Sequence, residues 1–464
     1  METSEVICAV STAPGIGAIA VLRMSGAGCI ALTDRIFESP SGKKLTGAKA
    51  NTVHFGRILE EGCLLDEVLV TIFHAPHSFT GEESVEIACH GSLYIQQRLL
   101  QLLVNQGARM ATPGEFTQRA FLNGKMDLSQ AEAVADLIAS SSAASHRMAL
   151  KQMKGGFSAE LMKLRGELLH ITSLLELELD FSEEDVEFAD RSELRRIAGN
   201  IDELLTRLCR SFSLGNVIKN GVPVAIVGNT NVGKSTLFNA LLREDGAIVS
   251  DIAGTTRDVI EDTINLNGIT FRFIDTAGIR ATSDEVENIG IERTFAKIGQ
   301  ASVVLLLTDL NRGVESFEEY YHQVKSRLTS DAKLIIVLNK TDQVEDLLTP
   351  QETIRLFTSG EEIIPISART GANLDRLIQE LTRTVNLNTL NTSDVIVSNV
   401  RHYEALRNAR TAIERVNEGL ESGLSGEFIS QDIRECLHYL GEITGEITTD
   451  EVLGNIFKNF CIGK

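Results

Sequence analysis

Residues 1 to about 120 set short apolar, β-rich runs between polar breaks. Gly17 to Arg23, Glu67 to Phe73 and Val85 to Cys89 each read as a strand, and 92 to 106 carries helical spacing. That mixture predicts a small α+β domain. From Asp127 the pattern turns helical and rich in Ala, Leu and Glu, with almost no Pro or Gly until Lys154; a further helical run covers 157 to 179. Asp180 to Asp190, DFSEEDVEFAD, reads as a solvated acidic loop. Another helix, 191 to 212, leads into Gly221-Val222-Pro223, where strands and helices begin to alternate. The alternation lasts to about 385 and predicts a parallel sheet covered by helices. A polar linker, NLNTLNTSD at 386 to 394, precedes a last helical stretch. The GEIT echo at 441 to 448 is too short for a repeat architecture. The expected organisation is therefore 1–120 α+β, 121–220 helical, 221–385 α/β and 386–464 helical. The two helical segments are expected to pack as one domain around the inserted module.

Composition narrows the partners. A chain of 464 residues, 43% hydrophobic, should form about two to four soluble globular domains. Aromatics are 5% and Trp is absent, so broad platforms for stacking bases are not expected. A net charge of −20 argues against a general nucleic-acid binder, while leaving room for a local basic patch or a nucleic acid held mainly by a partner. The seven cysteines include no CxxC pair, which suggests neither zinc nor a disulfide framework and points to a reducing, cytoplasmic setting. The first residues carry no signal-peptide pattern, and runs such as Val303 to Leu307 are too short to span a membrane. Cys461 stands fourth from the end, but its neighbours do not suit prenylation.

The α/β stretch carries the chemistry. The strand Val222 to Val227 runs into Gly228-Asn229-Thr230-Asn231-Val232-Gly233-Lys234-Ser235, a GxxxxGK[ST] sequence in its strand-to-helix setting, with a helix expected over Thr236 to Leu242. Such a loop turns backbone N–H groups inward around phosphates. Lys234 would meet the β- and γ-phosphates and Ser235 would ligate Mg²⁺. Gly254-Thr255-Thr256-Arg257-Asp258 is a switch-like loop whose Thr256 hydroxyl would reach the same ion. The strand Phe271 to Ile274 ends at Asp275-Thr276-Ala277-Gly278, where Asp275 would hold the metal through water and the Gly278 N–H would sense the γ-phosphate. Leu334 to Leu338 ends at Asn339-Lys340-Thr341-Asp342; a carboxylate there accepts from guanine N1–H and the N2 amine, which adenine lacks. Ile363 to Ile366 then leads to Ser367-Ala368-Arg369, where a backbone N–H meets guanine O6. The order favours GTP over ATP. The expected GTP contacts are Asn231, Val232, Gly233, Lys234, Ser235 and Thr236, Ser250, Asp251, Ile252, Ala253, Gly254, Thr255 and Thr256, Asp275, Thr276, Ala277 and Gly278, and Asn339, Lys340, Asp342, Ser367, Ala368 and Arg369.

Ile279 follows this switch glycine, where Ras-like proteins place the glutamine that orients water. Hydrolysis therefore needs another polar group and added positive charge. Asp284, Glu285 and Glu287 are candidates for the first, and Asn231 offers an amide oxygen to a monovalent cation.

The flanks resemble one family along the whole chain. They contain Ala13-Pro14-Gly15-Ile16-Gly17-Ala18-Ile19-Ala20 with Arg23, Ser78-Phe79-Thr80-Gly81-Glu82 with Glu86, the run Pro113 to Lys125 (PGEFTQRAFLNGK) and the tail Phe460-Cys461-Ile462-Gly463-Lys464. In these the chain resembles the MnmE (TrmE) family of tRNA uridine-modification GTPases, departing at Thr230, usually proline, and Ser92, often glycine. The resemblance implies a multi-domain α/β plus α+β protein. Its Ras-like P-loop G domain (221–385) is inserted into a helical domain (121–220 and 386–464), behind an α+β folate-binding and dimerisation domain (1–120). It implies a homodimer and a complex with an FAD protein, MnmG (GidA), forming a heterotetramer or larger, that acts on the wobble uridine of tRNA. The one-carbon unit would come from 5-formyl- or 5,10-methylene-tetrahydrofolate, bound by Arg23, Glu86, Lys125 and Lys464. It implies K⁺ activation through Asn231, Ser250, Ile252 and Thr255, water orientation by Glu287, and Arg280 in the second switch. Cys461 stays open between a nucleophile adding to uracil C6 and a partly buried thiol of the terminal helix. A ribosome-assembly or signalling switch, and a folate binder with a vestigial G domain, are the competing functional readings.

Overall fold

The computed structural model describes residues 5–180, 191–243, 262–274, 298–309, 314–329, 332–344, 348–384, 395–458 and 460–463. The chain forms two compact units, one of Met1–Ile138, Lys151–Ile201 and Asn408–Lys464, the other of Ala139–Leu150 and Asp202–Arg407.

The first unit is built on a seven-stranded sheet from β1 (Ile7–Val10), β2 (Ile19–Ser25), β3 (Phe37–Glu38), β4 (Thr52–Glu60), β5 (Cys63–Phe73), β6 (Ser84–His90) and β7 (Arg109–Met110), in the order β3-β4-β5-β6-β2-β1-β7. All neighbours are antiparallel except β1 and β7. Period-two alternation sends Ala20, Leu22 and Met24 of β2 and Val85, Ile87 and Cys89 of β6 into one core with Leu99 and Leu103 of the helix Leu93–Asn105. On the other face Ile7 and Ala9 meet Ala111 and Phe116, which seats the helix Glu115–Leu122 at one end of the sheet. Val53, Phe55 and Leu69 on β4 and β5 stay exposed, at 59%, 51% and 47%.

The helices Gly156–Asp180 and Gly426–Thr444, from the two sides of the α/β insertion, pack on each other. Arg165 pairs with Glu446, and Arg195 in the helix Arg191–Asn220 donates to the Leu420 carbonyl (2.8 Å). The stretch of helical spacing from Asp127 to Lys154 forms two helices, Leu128–Ala139 and Ala143–Met153. Ser142 and Ser145 explain the break: Ser142 Oγ accepts from Ser145 N (3.1 Å) and Ser145 Oγ from Ser142 N (3.1 Å). The new helix begins on this reciprocal cap.

The second unit carries a six-stranded sheet of β8 (Val222–Val227), β9 (Asp262–Leu266), β10 (Ile269–Ile274), β11 (Val303–Asp309), β12 (Lys333–Asn339) and β13 (Glu362–Pro365), ordered β13-β12-β11-β8-β10-β9. Five strands are parallel, as expected. Edge strand β9 departs from that expectation by pairing antiparallel with β10. Asn267 and Gly268 join them with φ of 51° and 81°, the positive dihedrals a two-residue hairpin turn requires. Buried runs such as Leu305, Ile335, Val337 and Ile364 make the sheet interior. No helix among the described residues is long and apolar enough to cross a membrane.

Candidate functional site

The C-terminal ends of β8, β11, β12 and β13 converge, and the loops leaving three of them are tied together by one side chain. Asn339, 2% exposed, donates from Nδ2 to the Val232 carbonyl (2.8 Å) and accepts at Oδ1 from the Ala368 N–H (3.0 Å). The phosphate-type loop after β8 is thereby locked to the loop after β13. Glycine is obligatory in the first of these loops. A Cβ on Gly228 (φ 156°) would lie 2.3 Å from the Leu307 carbonyl oxygen, and one on Gly233 (φ 98°) 2.3 Å from Asn339 Nδ2. Asn231 also takes a left-handed φ, 60°, with its side chain exposed. Lys234 opens the helix Lys234–Arg243 and folds back over the loop, donating to the carbonyls of Gly228 (2.6 Å) and Asn229 (3.0 Å). The ammonium thus sits inside the loop, where phosphate oxygens would replace those carbonyls.

On the opposite side Asp342 Oδ1 accepts from Ser367 Oγ (2.7 Å), and Ser367 Oγ also accepts from Thr370 N (3.2 Å). The carboxylate is therefore fixed beside the 367–369 backbone, the geometry needed to read a purine with a donor at N1 and an amine at C2. Two neighbours were not singled out from the sequence. Asp309 ends β11 and pairs with Lys340, Nζ to Oδ2 2.6 Å. Tyr320 lies in the helix Val314–Lys325; burial pushes its phenol up, while a hydrogen bond with the Gly228 backbone works the other way. A carboxylate at the C-terminal end of a central parallel strand was the available signal for Asp309, because ligands of open α/β sheets bind at those ends. Of the other expected residues, Ser235 and Thr236 lie in the first helical turn after the loop and Arg369 in the 367–372 turn. Ser250 to Thr256, Asp275 to Gly278, Arg280 and Glu287 lie outside the described residues.

A second polar cluster lies in the first unit. Arg23 of β2 sits opposite Glu86 of β6 and donates to it through Nε (3.0 Å) and Nη2 (2.8 Å). Its guanidinium carbon lies 5.6 Å from the Phe79 ring centre and 5.9 Å from that of Phe116. The 76–81 loop that carries Phe79 also binds Lys125, whose Nζ donates to the Pro76 carbonyl (3.1 Å), and Asn123, whose Nδ2 donates to Thr80 O (2.8 Å). The tail reaches the same region. Ser11 Oγ donates to Gly463 O (3.2 Å), the Gly114 N–H donates to Cys461 O (3.4 Å), and Gly463 (φ 93°) leaves no room for a Cβ beside the Val10 carbonyl oxygen, 2.4 Å away. Arg23, Glu86, Lys125 and Cys461 are thus brought to connected elements, while Lys464 lies outside the described residues. Cys461 is exposed and follows the terminal helix Asp450–Lys458, so it is not a partly buried member of that helix. Burial pushes other thiols up, Cys8 and Cys89 to about 11 and Cys436 to about 12. Those thiols are inert at neutral pH.

Beneath this cluster runs a buried ionic chain. Arg119, 3% exposed, meets Glu82 (3.1 Å) and Glu115 (3.1 Å), and Glu115 also meets Arg109 (2.6 Å). Burial opposes the charge of Glu115, but hydrogen bonds from Arg109, the Thr112 N–H and Arg119 hold its carboxyl down at about 2. The chain fixes the N-terminal turn of the helix that carries Phe116.

A GxxxxGK[ST] loop leaving a parallel strand, tied by Asn339 to the loop after β13, is the arrangement of a P-loop nucleotide-binding protein. Comparison with known proteins identifies which kind. The family model for the GTP-binding protein TrmE N-terminus matches residues 6–125, and that for the MnmE helical domain matches residues 128–461. The tRNA modification GTPase MnmE of Parabacteroides distasonis is 59% identical over 461 residues, 99% of each chain. The protein of the same name from Bacteroides fragilis is 58% identical over 465 residues, 99% of each, and that from Flavobacterium johnsoniae 52% over 467 residues, 100% of each. The chain belongs to the MnmE family of tRNA modification GTPases. Membership over the full length decides against the ribosome-assembly and vestigial-G-domain alternatives.

Proposed function

We propose that the chain hydrolyses GTP to drive modification of the wobble uridine of certain tRNAs in the cytoplasm. With an FAD-dependent MnmG (GidA) partner it would add an aminomethyl or carboxymethylaminomethyl group at C5. The observation that carries the nucleotide part is Asn339 joined to both Val232 and Ala368. Lys234 neutralises the β- and γ-phosphates, the loop N–H groups orient them, and Asp342, beside the 367–369 backbone, selects guanine. Ser235 and Thr256 are the residues that would hold Mg²⁺, and Asn231 with the carbonyls of Ser250, Ile252 and Thr255 would hold K⁺. The exposed amide of Asn231 beside the loop suits that role. Bound there, the cations would supply positive charge opposite the negative charge that develops on the phosphate oxygens. Glu287 orients the attacking water in place of the missing glutamine, and Arg280 acts from the second switch.

In the first unit, Arg23, Glu86, Lys125 and Lys464 would bind a tetrahydrofolate one-carbon donor. A guanidinium paired with a carboxylate and flanked by Phe79 and Phe116 suits a pterin edge, and the lysines suit a glutamate tail. Cys461, exposed on a tail anchored at Ser11 and Gly114, is the candidate nucleophile toward uracil C6. The open sheet face with Val53, Phe55 and Leu69 supports a homodimer. The test is GTP turnover in K⁺ against Na⁺, with and without the partner. K⁺-selective stimulation that Asn231→Ala abolishes supports the reading; equal rates in the two salts refute the cation assignment.

A further inference from the structure

Three residues of the base-reading loop are held by neighbouring elements. Asn339 is held by Val232 and Ala368, Asp342 by Ser367, and Lys340 by Asp309. The first two ties follow from the motifs themselves. The third does not, because Asp309 belongs to none of them. It ends β11 directly opposite Asn339 in the strand register, 6% exposed, with its carboxylate 2.6 Å from Lys340 Nζ. Lys340 takes a left-handed backbone, φ 65°, a conformation that a lysine rarely adopts without being held there. In the sequence Lys340 stands between Asn339, which locks the phosphate loop, and Asp342, and its side chain is drawn to Asp309. A lysine has a flexible four-carbon stem, and unless its ammonium is anchored the stem samples many rotamers.

We propose that Asp309 is a positioning residue for the guanine nucleotide. It anchors the Lys340 ammonium so that the methylene stem lies along one face of the purine while Asp342 reads its edge. Its effect reaches the nucleotide through Lys340. The inference rests on the guanine-nucleotide reading of this site, and its test separates the two. Dissociation of a fluorescent GDP is measured on the full chain for the parent, Asp309→Asn, Asp309→Glu, Lys340→Ala and the Asp309→Asn/Lys340→Ala double variant, with thermal unfolding of each. Asp309→Asn should release GDP roughly tenfold faster, the size of loss typical when a group that orients a ligand contact is removed. Asp309→Glu should recover part of that loss. In the Lys340→Ala background Asp309→Asn should add less than about twofold, because the lysine it acts through is gone. Parental release by Asp309→Asn overturns the proposal. So does an equal loss with and without Lys340, which would mark Asp309 as merely structural. A parent chain that binds no guanine nucleotide overturns the site assignment itself.

Discussion

Asp342 is oriented before any base arrives, because Ser367 Oγ already occupies one of its oxygens at 2.7 Å. If Asp342 reads the base, as proposed, selectivity depends on what the purine edge offers its remaining lone pairs. Guanine presents two donors, N1–H and the C2 amine; xanthine presents one donor and a C2 carbonyl. An asparagine keeps an oxygen for N1–H and supplies an N–H for the carbonyl. Asp342→Asn should therefore lose at least about a hundredfold in GTP affinity and gain a preference for XTP, as expected where a site's hydrogen-bond partner is replaced by a mismatched group. Competition of GTP and XTP against a fluorescent nucleotide measures it; an unchanged preference would remove Asp342 from base recognition. This residue, with Asn339, Lys234 and the loop glycines, was legible in the sequence because motif spacing constrains short loops at strand ends. Asp309 carried only a weaker signal, a carboxylate ending an apolar strand with no motif around it, and its pairing with Lys340 appears only when β11 and β12 lie side by side.

At the scale of elements, periodicity located β2, β5 and β6 of the first sheet, most strands of the second and the longer helices, but not β1, β4, β9 or the helix Glu115–Leu122, and tertiary contacts moved the limits of those it found. The helix Arg191–Asn220 was expected to stop at 212, where Ser213 and Gly215 weaken helix propensity. It continues because Phe212 stacks on Tyr403 (4.4 Å between ring centres) and Gly215 admits the Val397 carbonyl. A Cβ there would lie 2.0 Å from that oxygen. No local pattern encodes a partner some 180 positions away. The helix Glu115–Leu122 was likewise legible as a motif, but the ionic chain that seats it was not. Glu115 is held at about 2 against an ordinary value of 4.5. Its folded form releases the proton more readily than the unfolded chain does. The stabilisation is complete above about pH 4.5 and is lost as pH falls toward 2. Glu115→Gln should cost up to about 3 kcal/mol at pH 7 and make the loss between pH 4.5 and 2 shallower than in the parent. Denaturant melts of both chains across that range decide it, since identical slopes would show that Glu115 contributes nothing to acid sensitivity.

At the scale of the whole molecule, the net charge of −20 and the sparse aromatics leave little surface suited to holding tRNA unaided, which fits a chain that works in an assembly. The first unit carries a feature that calls for a partner of another kind. On its sheet, Phe55 lies opposite Leu69 and Leu69 opposite Ala88, with Val53 opposite Thr71 on the same open face. Strands that bury one face normally turn polar residues outward on the other. Here Val53, Phe55 and Leu69 form an apolar patch among the outward positions, bordered by Thr71 and the Arg57–Glu67 pair, and a second copy of the same surface would cover it symmetrically. Phe55→Asp leaves the buried face untouched, so the fold should persist with an unchanged circular dichroism spectrum. It should weaken self-association by about thirtyfold or more, the effect of losing a central aromatic contact and burying a charge in its place. Sedimentation equilibrium of the two chains measures this directly. A parent that dissociates to monomers at micromolar concentration, or a variant as dimeric as the parent, would exclude this face as the homodimer contact.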